Sequence, residues 1–275
     1  FCFVGVWIDN PGSVRGVKLG GVLLFMPWFD VSAASRMLPH QCHHLARQLR
    51  AASGSSNRWL SRQKRDVFVK QRAQQGFRSR AAFKLTEIAL QNKPPLFHSN
   101  ATVVEFGASP GSWTQAASRY CKFVIAVDLQ PMTTVDLSNV HFIHGDARDP
   151  LVHVQIERAM RNHAVDGKAD LVLSDMAPAA SGMASLDHIR QMSLCESAYE
   201  SALQWLKPAV GVLLMKCTRG GEEVAFRQSI LQSGTFSSCK FIKPAASRQD
   251  SREMYLLCQG FRGSSIEKDI DSSIA

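Results

Sequence analysis

The chain lacks the features that would place it outside a reducing compartment or in a membrane. Its seven cysteines are scattered, odd in number and never spaced as C-x-x-C, so no disulfide framework or zinc site is predicted. The apolar run "GVLLFMPWF" is too short to span a bilayer, and the chain has no internal repeat. We therefore expect a protein with no membrane span and no metal site.

Acidic residues are absent from residues 37–65, which makes this segment the most basic part of the chain. Residues 1–65 carry nine Lys/Arg and two acids, whereas residues 66–275 carry 23 and 21, so most of the net charge of +9 is N-terminal. Segment 37–65 is rich in Arg and Ser and amphipathic around Leu45–Leu49, which is typical of a mitochondrial transit peptide. The alternative is a basic tail that contacts RNA nonspecifically. We expect a mitochondrial matrix protein, with residues 1–36 as an N-terminal extension of unassigned nature.

Residues 66–262 alternate between short β-branched strands and helices, which predicts a single α/β domain. Seven strands are expected, from "ATVVEFGA" to "EMYLLCQGF", in a mostly parallel sheet with helices on both faces. The segment "AASRQDSR" between the last two strands is too short for a crossover, so these strands should pair antiparallel as a hairpin. The polar tail 263–275 is predicted to be disordered.

Chemically useful residues follow the ends of these strands, where the ligand edge of a parallel sheet lies. They are Gly107–Gly111, Asp128, Asp146, Asp175 and Lys216. The glycine loop lacks G-x-G-x-x-G, so a nicotinamide enzyme is not expected. Asp128 is placed to bind a ribose diol and Asp146 an adenine amino group, although either could instead be a helix N-cap or turn acid.

This combination resembles the Rossmann-like S-adenosylmethionine-dependent methyltransferases. In their amino-directed members the fourth strand ends in Asp/Asn-Pro-Pro-aromatic, and the aromatic stacks on a flipped base. Here the stretch reads Asp175-Met-Ala-Pro178 and has no aromatic residue. The resemblance therefore implies an oxygen acceptor. A ribose hydroxyl needs alignment and a group that favours its alkoxide, and a lysine can provide both.

Four residues that are far apart in the sequence complete the pattern: Lys84, Asp175, Lys216 and Glu253. In this order they resemble the K-D-K-E tetrad of the FtsJ/RrmJ-type ribosomal RNA ribose 2′-O-methyltransferases. The stretches "FRSRAAFKL", "GASPGSWTQ", "LSDMAP", "LLMKC" and "KPAASRQDSREMYLL" share the resemblance, which covers residues 58–262. The stretch "RWLSRQKRDVFVKQ" looks most like the mitochondrial branch. Departures are Ser109 and Ser112 in the loop, and Glu105 where Asp is common.

The family resemblance implies a role for each of these residues. The loop residues Gly107, Pro110, Gly111, Ser112 and Trp113 should bind S-adenosylmethionine, with Gly111 and Trp113 at its methionine side. Asp128 should bind its ribose, Asp146 its adenine, and Asp175 should lie near its amino-acid part and methyl group. Lys216 should activate the acceptor hydroxyl, either as a base or as an electrostatic clamp, while Lys84 and Glu253 orient it.

Two basic clusters flank the tetrad in the sequence and are predicted to contact RNA phosphates. The first contains Lys70, Arg72, Arg78 and Arg80, and the second contains Lys240, Lys243, Arg248 and Arg252. The alternative for each is a solvated helix face. The family implies methylation of a uridine in large-subunit ribosomal RNA, either free or in a pre-ribosomal particle, and we expect the protein to be a monomer. Two other hypotheses are a ribosome-assembly factor whose catalysis is dispensable and an amino-methyltransferase.

Overall fold

The computed structural model describes residues 4–7, 16–19, 22–25, 68, 71, 74–132, 137–164, 166–248 and 250–263. The chain divides into two units, Phe1–Asp66 and Val67–Ala275. In the first, strands β1 (Val4–Trp7), β2 (Gly16–Leu19) and β3 (Val22–Phe25) form an antiparallel sheet in that order. The transit-like segment 37–65 and residues 264–275 of the predicted tail lie outside the described residues.

The second unit contains the predicted alternation of strands and helices. Its strands are β4 (Thr102–Phe106), β5 (Phe123–Asp128), β6 (Val140–His144), β7 (Leu171–Ser174), β8 (Val212–Thr218), β9 (Phe236–Ile242) and β10 (Glu253–Phe261). Its helices are α1 (Ala81–Gln91), α2 (Ser112–Ser118), α3 (Pro150–His163), α4 (Ala184–Trp205) and α5 (Glu222–Gln232). Asp149 caps α3 by accepting a hydrogen bond from the Leu151 N–H, and Gly234, with φ of +70°, follows the end of α5.

The sheet has seven strands in the order β6-β5-β4-β7-β8-β10-β9. The first five strands of this order are parallel, and β10 is antiparallel to both β8 and β9. The predicted mostly parallel sheet with an antiparallel C-terminal hairpin is confirmed. Within the described residues, no helix combines the length and the apolar character needed to cross a bilayer.

The two faces of the sheet pack against different helices. Val104 and Phe106 of β4 join a buried cluster with residues of α3, α4 and α5. Val103, on the opposite face, belongs to a second cluster with residues of α1 and α2. All five residues of β4 are therefore buried, as expected for a central strand covered on both sides.

The sheet topology brings Glu253 to the same edge as Lys216. Strand β8 runs parallel to its neighbour β7, so its end carrying Lys216 lies beside the end of β7, after which Asp175 follows. Strand β10 runs the other way, and its first residue, Glu253, pairs with Thr218 near the end of β8. The start of an antiparallel strand thus contributes a carboxylate to the edge where parallel strands end.

Candidate active site

The loop between β4 and α2 comes very close to the end of β7. Gly107 has φ of +75°, and a Cβ atom there would lie 2.6 Å from the backbone nitrogen of Met176. Gly111 has φ of +96° and immediately precedes α2. Both positions need glycine, because an L side chain rarely adopts this backbone conformation and Gly107 has no space for one. The loop is thereby held next to Asp175.

Glu105, the last-but-one residue of β4, lies directly below this loop and is fully buried. Its Oε2 accepts a hydrogen bond of 2.7 Å from the Thr114 hydroxyl, while Oε1 has no hydrogen-bond partner among the described residues. Burial, together with the nearby carboxylates of Asp175 and Asp128, raises the pKa of Glu105 to about 8 despite the Thr114 bond. At neutral pH it is therefore mainly an uncharged acid. From the sequence, Glu105 was noted only as a departure from the family pattern, and its burial and neutral state were not predicted.

Asp128 and Asp146 lie at the ends of the neighbouring strands β5 and β6, as predicted. Asp128 accepts hydrogen bonds from the Ser109 N–H at 2.7 Å and the Gln130 N–H at 2.6 Å, so it also anchors the loop. Asp146 forms a bidentate pair with Arg148 at 3.0 and 2.7 Å, and the Arg148 hydrogen bonds lower its pKa although burial opposes this. Both acids serve as turn acids, yet a carboxylate has further lone pairs. These carboxylate acceptors suit the hydroxyl donors of a ribose diol and the donor N–H groups of an adenine amino group.

Ser112 and Trp113 are each only 2% exposed, and their side chains support the loop from within. The Ser112 hydroxyl donates to the Ser79 hydroxyl at 2.7 Å, and the Trp113 indole N–H donates to the Ala81 carbonyl at 3.0 Å. The carbonyl of the exposed Pro110 accepts a bond of 2.7 Å from Arg78. The segment before α1 and the first residue of α1 therefore hold the loop in place through these contacts.

The structure brings the four residues of the predicted tetrad together as two ion pairs. Lys84 Nζ lies 2.5 Å from Glu253 Oε1, and Lys216 Nζ lies 3.0 Å from Asp175 Oδ1. All four side chains are less than 20% exposed, at 11, 17, 15 and 18% respectively. Solvent therefore screens these charges less than it screens surface pairs.

The charge states of Lys216 and Glu253 follow from these neighbours. Burial alone would lower the pKa of Lys216, but the charges of Asp175 and Glu253 and the Asp175 hydrogen bond raise it above its ordinary value. Burial likewise opposes ionisation of Glu253, yet Lys84, Lys216 and Ser247 together lower its pKa. Lys216 is therefore an ammonium and Glu253 a carboxylate at neutral pH.

Tyr255 connects the two ion pairs and was not predicted from the sequence. Its hydroxyl lies 3.4 Å from both Asp175 Oδ1 and Glu253 Oε1, and its ring packs against Trp113 at 5.5 Å. It pairs with Lys216 across β8 and β10. The available signal was its position two residues after Glu253, which places both side chains on one face of a strand.

The two predicted RNA-binding clusters each precede a tetrad residue in the chain. Arg78 and Arg80 precede α1, which carries Lys84, and the loop from Lys243 to Arg252 leads into Glu253. Glu87 of α1 joins these regions by accepting hydrogen bonds from the N–H groups of Ala245 and Ala246 at 2.8 and 3.1 Å. Lys240 is exposed and contacts Asn92, and Lys243 donates to the Ser251 carbonyl. Lys70 and Arg72 lie outside the described residues, and phosphate binding stays a prediction.

The fold and the edge together define a Rossmann-like methyltransferase. A glycine loop follows β4, and acidic residues lie at the ends of β5 and β6. The paired lysines and carboxylates of the tetrad lie beside this loop. Neither a pyrophosphate cradle nor a stacking aromatic after Asp175 is found in these described segments.

Comparison with known proteins identifies the family: the chain belongs to the FtsJ-like methyltransferases, whose sequence profile matches residues 77–261. Ribosomal RNA large subunit methyltransferase E of Rickettsia typhi is 39% identical over 214 residues, covering 74% of this chain and 88% of that protein. The protein of the same name from Pseudomonas fluorescens is 40% identical over 218 residues, covering 78% and 99%. A crystal structure of a ribosomal RNA methyltransferase from Plasmodium falciparum has a TM-score of 0.58 and 27% identity, covering 68% of this chain and 100% of that one.

These findings confirm the family, the fold and S-adenosylmethionine as the methyl donor. The prediction that the chain is a methyltransferase is likewise confirmed. The resemblance to the mitochondrial branch stays a prediction, as do the roles of individual residues.

Proposed function

We propose that this protein transfers a methyl group from S-adenosylmethionine to the 2′-hydroxyl of a uridine in large-subunit ribosomal RNA. The observation that carries the proposal is the convergence of Lys84, Asp175, Lys216 and Glu253 beside the glycine loop. The names of the relatives from R. typhi and P. fluorescens support the RNA substrate. The choice of a uridine rests on the resemblance to the family.

Lys216 is the residue that we assign to activation of the acceptor oxygen. When bound, S-adenosylmethionine supplies an electrophilic methyl group, so the hydroxyl must lose its proton as the new bond forms. An ammonium can hold the hydroxyl and stabilise its developing negative charge, but it cannot accept a proton. The raised pKa of Lys216 thus favours the electrostatic role, and the Asp175 carboxylate, 3.0 Å from Nζ, is available as proton acceptor.

Lys84 and Glu253 orient the acceptor and fix its electrostatic surroundings. Their ion pair neutralises a second buried lysine, and Glu253 adds a negative charge that stabilises the ammonium of Lys216. Loop residues 107–113, Asp128 and Asp146 would hold the methyl donor. Asp175 belongs to both groups, because the family resemblance also places it near the amino-acid part and the methyl group of the donor.

We also propose that the protein acts as a monomer in the mitochondrial matrix on ribosomal RNA or a pre-ribosomal particle. The support for the location is the composition of segment 37–65, which is rich in Arg and Ser and free of acids. Import followed by removal of an N-terminal segment would be seen by fractionation and N-terminal sequencing. A cytosolic full-length chain would contradict the location without affecting the chemistry.

The chemistry is tested by incubating the purified protein with large-subunit ribosomal RNA, or with the subunit, and methyl-labelled S-adenosylmethionine. A 2′-O-methyl group blocks alkaline hydrolysis of the adjacent phosphodiester, so the label should appear in alkali-resistant dinucleotides that contain uridine. Label on a base would instead indicate an amino-methyltransferase. No transfer to either substrate would contradict the proposed activity.

The second candidate is an assembly factor whose binding to the ribosome matters more than its catalysis. Its support is the pair of basic clusters around the site. Cells depleted of the protein and supplied with Lys216→Ala separate the two hypotheses. Restored subunit assembly without ribose methylation would favour the assembly role, whereas loss of both would favour the enzyme.

A further inference from the structure

A second cluster of ionisable side chains lies near the end of β8, apart from the tetrad. It contains His188 in the first turns of α4 and the first two residues of α5, Glu222 and Glu223. One potential ligand atom from each side chain lies within 4.8 Å of the others. This cluster could not be predicted from the sequence, because 33 residues lie between His188 and Glu222 and no metal-binding spacing is present.

The His188 ring is buried and held in one orientation. It is only 5% exposed, and its Nδ1 lies 2.9 Å from the Thr218 hydroxyl. Gly220 leaves room for the ring, since a Cβ atom there would lie 2.2 Å from His188 Cδ2. This anchoring of one ring nitrogen by a neighbouring side chain is the arrangement that orients metal-binding histidines.

His188 Nε2 points at the two carboxylates but makes no hydrogen bond to any described residue. It lies 2.5 Å from Glu222 Oε2 and 3.7 Å from Glu223 Oε2, and the short contact to Glu222 lacks hydrogen-bond geometry. If Nδ1–H donates to Thr218, Nε2 presents a lone pair to negatively charged oxygens. Such an arrangement is unfavourable unless a cation lies between them.

Glu223 is held in place and Glu222 is free to adjust. The N–H groups of Gly220 and Gly221 donate to Glu223 Oε2 at 3.0 and 2.6 Å. The Glu222 side chain is 62% exposed, so it can move without disturbing the core. Ligand atoms around an ion at about 2.0–2.2 Å lie roughly 3.0–3.5 Å apart. His188 Nε2 and Glu223 Oε2, at 3.7 Å, are close to this spacing, and the exposed Glu222 can move to complete the set.

We propose that His188, Glu222 and Glu223 form a binding site for a divalent transition-metal ion of the Zn²⁺ class. One imidazole and two carboxylates suit such an ion better than Mg²⁺, which prefers oxygen ligands alone. The ion would connect the start of α4 to the start of α5. Because Thr218 pairs with Glu253 across β8 and β10, it would also stiffen the edge that carries the tetrad.

Isothermal titration of the full-length protein with Zn²⁺ tests this proposal. We expect one saturable site per chain and a rise in the melting temperature on binding. Glu222→Gln should weaken binding at least tenfold, and because Glu222 is exposed this variant should fold normally. His188→Gln should also weaken binding, and circular dichroism reports whether it stays folded.

Two substitutions elsewhere serve as matched controls. His141→Gln replaces an exposed histidine on β6, and Glu157→Gln replaces an exposed glutamate on α3, so neither should change the Zn²⁺ affinity. Equal affinity of the wild type and Glu222→Gln, or no saturable binding, would overturn the site. This test uses metal binding alone and is independent of the proposed methylation.

Discussion

At the scale of single residues, the charge state of Lys216 decides which role it can take. The pKa of Lys216 lies above the ordinary value of a lysine. The ammonium form therefore predominates at neutral pH and is lost only at strongly alkaline pH. A lysine acting as a base would need the opposite shift, and its activity would rise with pH as it deprotonates. The sequence left two roles open for Lys216, a base and an electrostatic clamp. The structure therefore favours the electrostatic clamp.

We predict that Lys216→Arg keeps measurable methylation, whereas Lys216→Gln does not. A guanidinium stays charged but cannot act as a base, so it preserves part of an electrostatic effect and none of a proton transfer. Single-turnover rates of the two variants from pH 6 to 9 provide the comparison. Equal rates for Lys216→Arg and Lys216→Gln, together with a wild-type rate that rises from pH 6 to pH 9, would indicate that Lys216 acts as a base.

Glu105 gives a residue-scale prediction about stability. Its folded-state pKa of about 8 lies above the ordinary value of 4.5, so the folded protein binds an extra proton between these values. The associated stabilisation is complete below pH 4.5 and is lost as the pH rises toward 8. We expect Glu105→Gln, which stays neutral, to reduce this loss by an amount on the order of a few kcal/mol.

Urea unfolding of the wild type and Glu105→Gln at pH 5 and pH 8 measures that difference. Glu157→Gln, on the exposed surface of α3, should keep the wild-type pH dependence and is the matched control. A wild-type stability that rises from pH 5 to pH 8, in parallel with the Glu105→Gln variant, would be inconsistent with a neutral buried acid.

At the scale of secondary-structure elements, the close approach of the glycine loop to β7 fixes where the methyl donor and Asp175 meet. Gly107→Ala should destabilise the protein by about 1–3 kcal/mol through its positive φ alone. The contact of 2.6 Å between the new Cβ and Met176 N adds to this cost and should displace the loop. We therefore expect weaker binding of S-adenosylmethionine as well as a lower melting temperature.

Gly167→Ala separates the two effects, because Gly167 also has a positive φ, of +65°, but nothing lies within 4 Å of its would-be Cβ. It should lower the melting temperature while leaving the affinity for S-adenosylmethionine unchanged. If both variants lose affinity equally, the contact between Gly107 and Met176 does not position the loop.

Secondary-structure elements were also the part of the molecule that the sequence predicted best. Alternating apolar runs and turn residues identified the seven strands, and the short link before Glu253 identified the antiparallel pair. Knowing that parallel strands end at one edge was enough to group Asp128, Asp146, Asp175 and Lys216. Contacts that depend on packing could not be predicted, including the Tyr255 hydroxyl between two carboxylates and the buried oxygen of Glu105.

At the scale of the whole molecule, most of the net positive charge lies in residues 1–65, but both predicted RNA-binding clusters contain residues close in the chain to the tetrad. Arg252 is exposed and directly precedes Glu253, so a phosphate held there would be next to the ion pairs. We predict that Arg252→Ala weakens RNA binding and lowers the slope of log affinity against log salt by about one, without changing S-adenosylmethionine affinity. Filter binding at several salt concentrations measures this slope.

Arg158→Ala is the control for that experiment, because Arg158 is an exposed arginine on α3 outside both basic clusters. Its salt slope should equal that of the wild type. An equal decrease in the salt slope for Arg252→Ala and Arg158→Ala would mean that RNA is attracted by the net charge of the protein rather than bound at this edge. Composition alone indicated a basic protein but could not distinguish these two cases.

The most direct test of the account is the single-turnover transfer of labelled methyl groups to large-subunit ribosomal RNA by the wild type and Lys216→Ala, with S-adenosylmethionine affinity measured on the same preparations. We predict that the variant binds the methyl donor as tightly as the wild type but is slower by about 10²–10³-fold or more, as when an electrostatic stabiliser is removed. A variant that forms 2′-O-methylated uridine at the wild-type rate would show that Lys216 does not activate the acceptor.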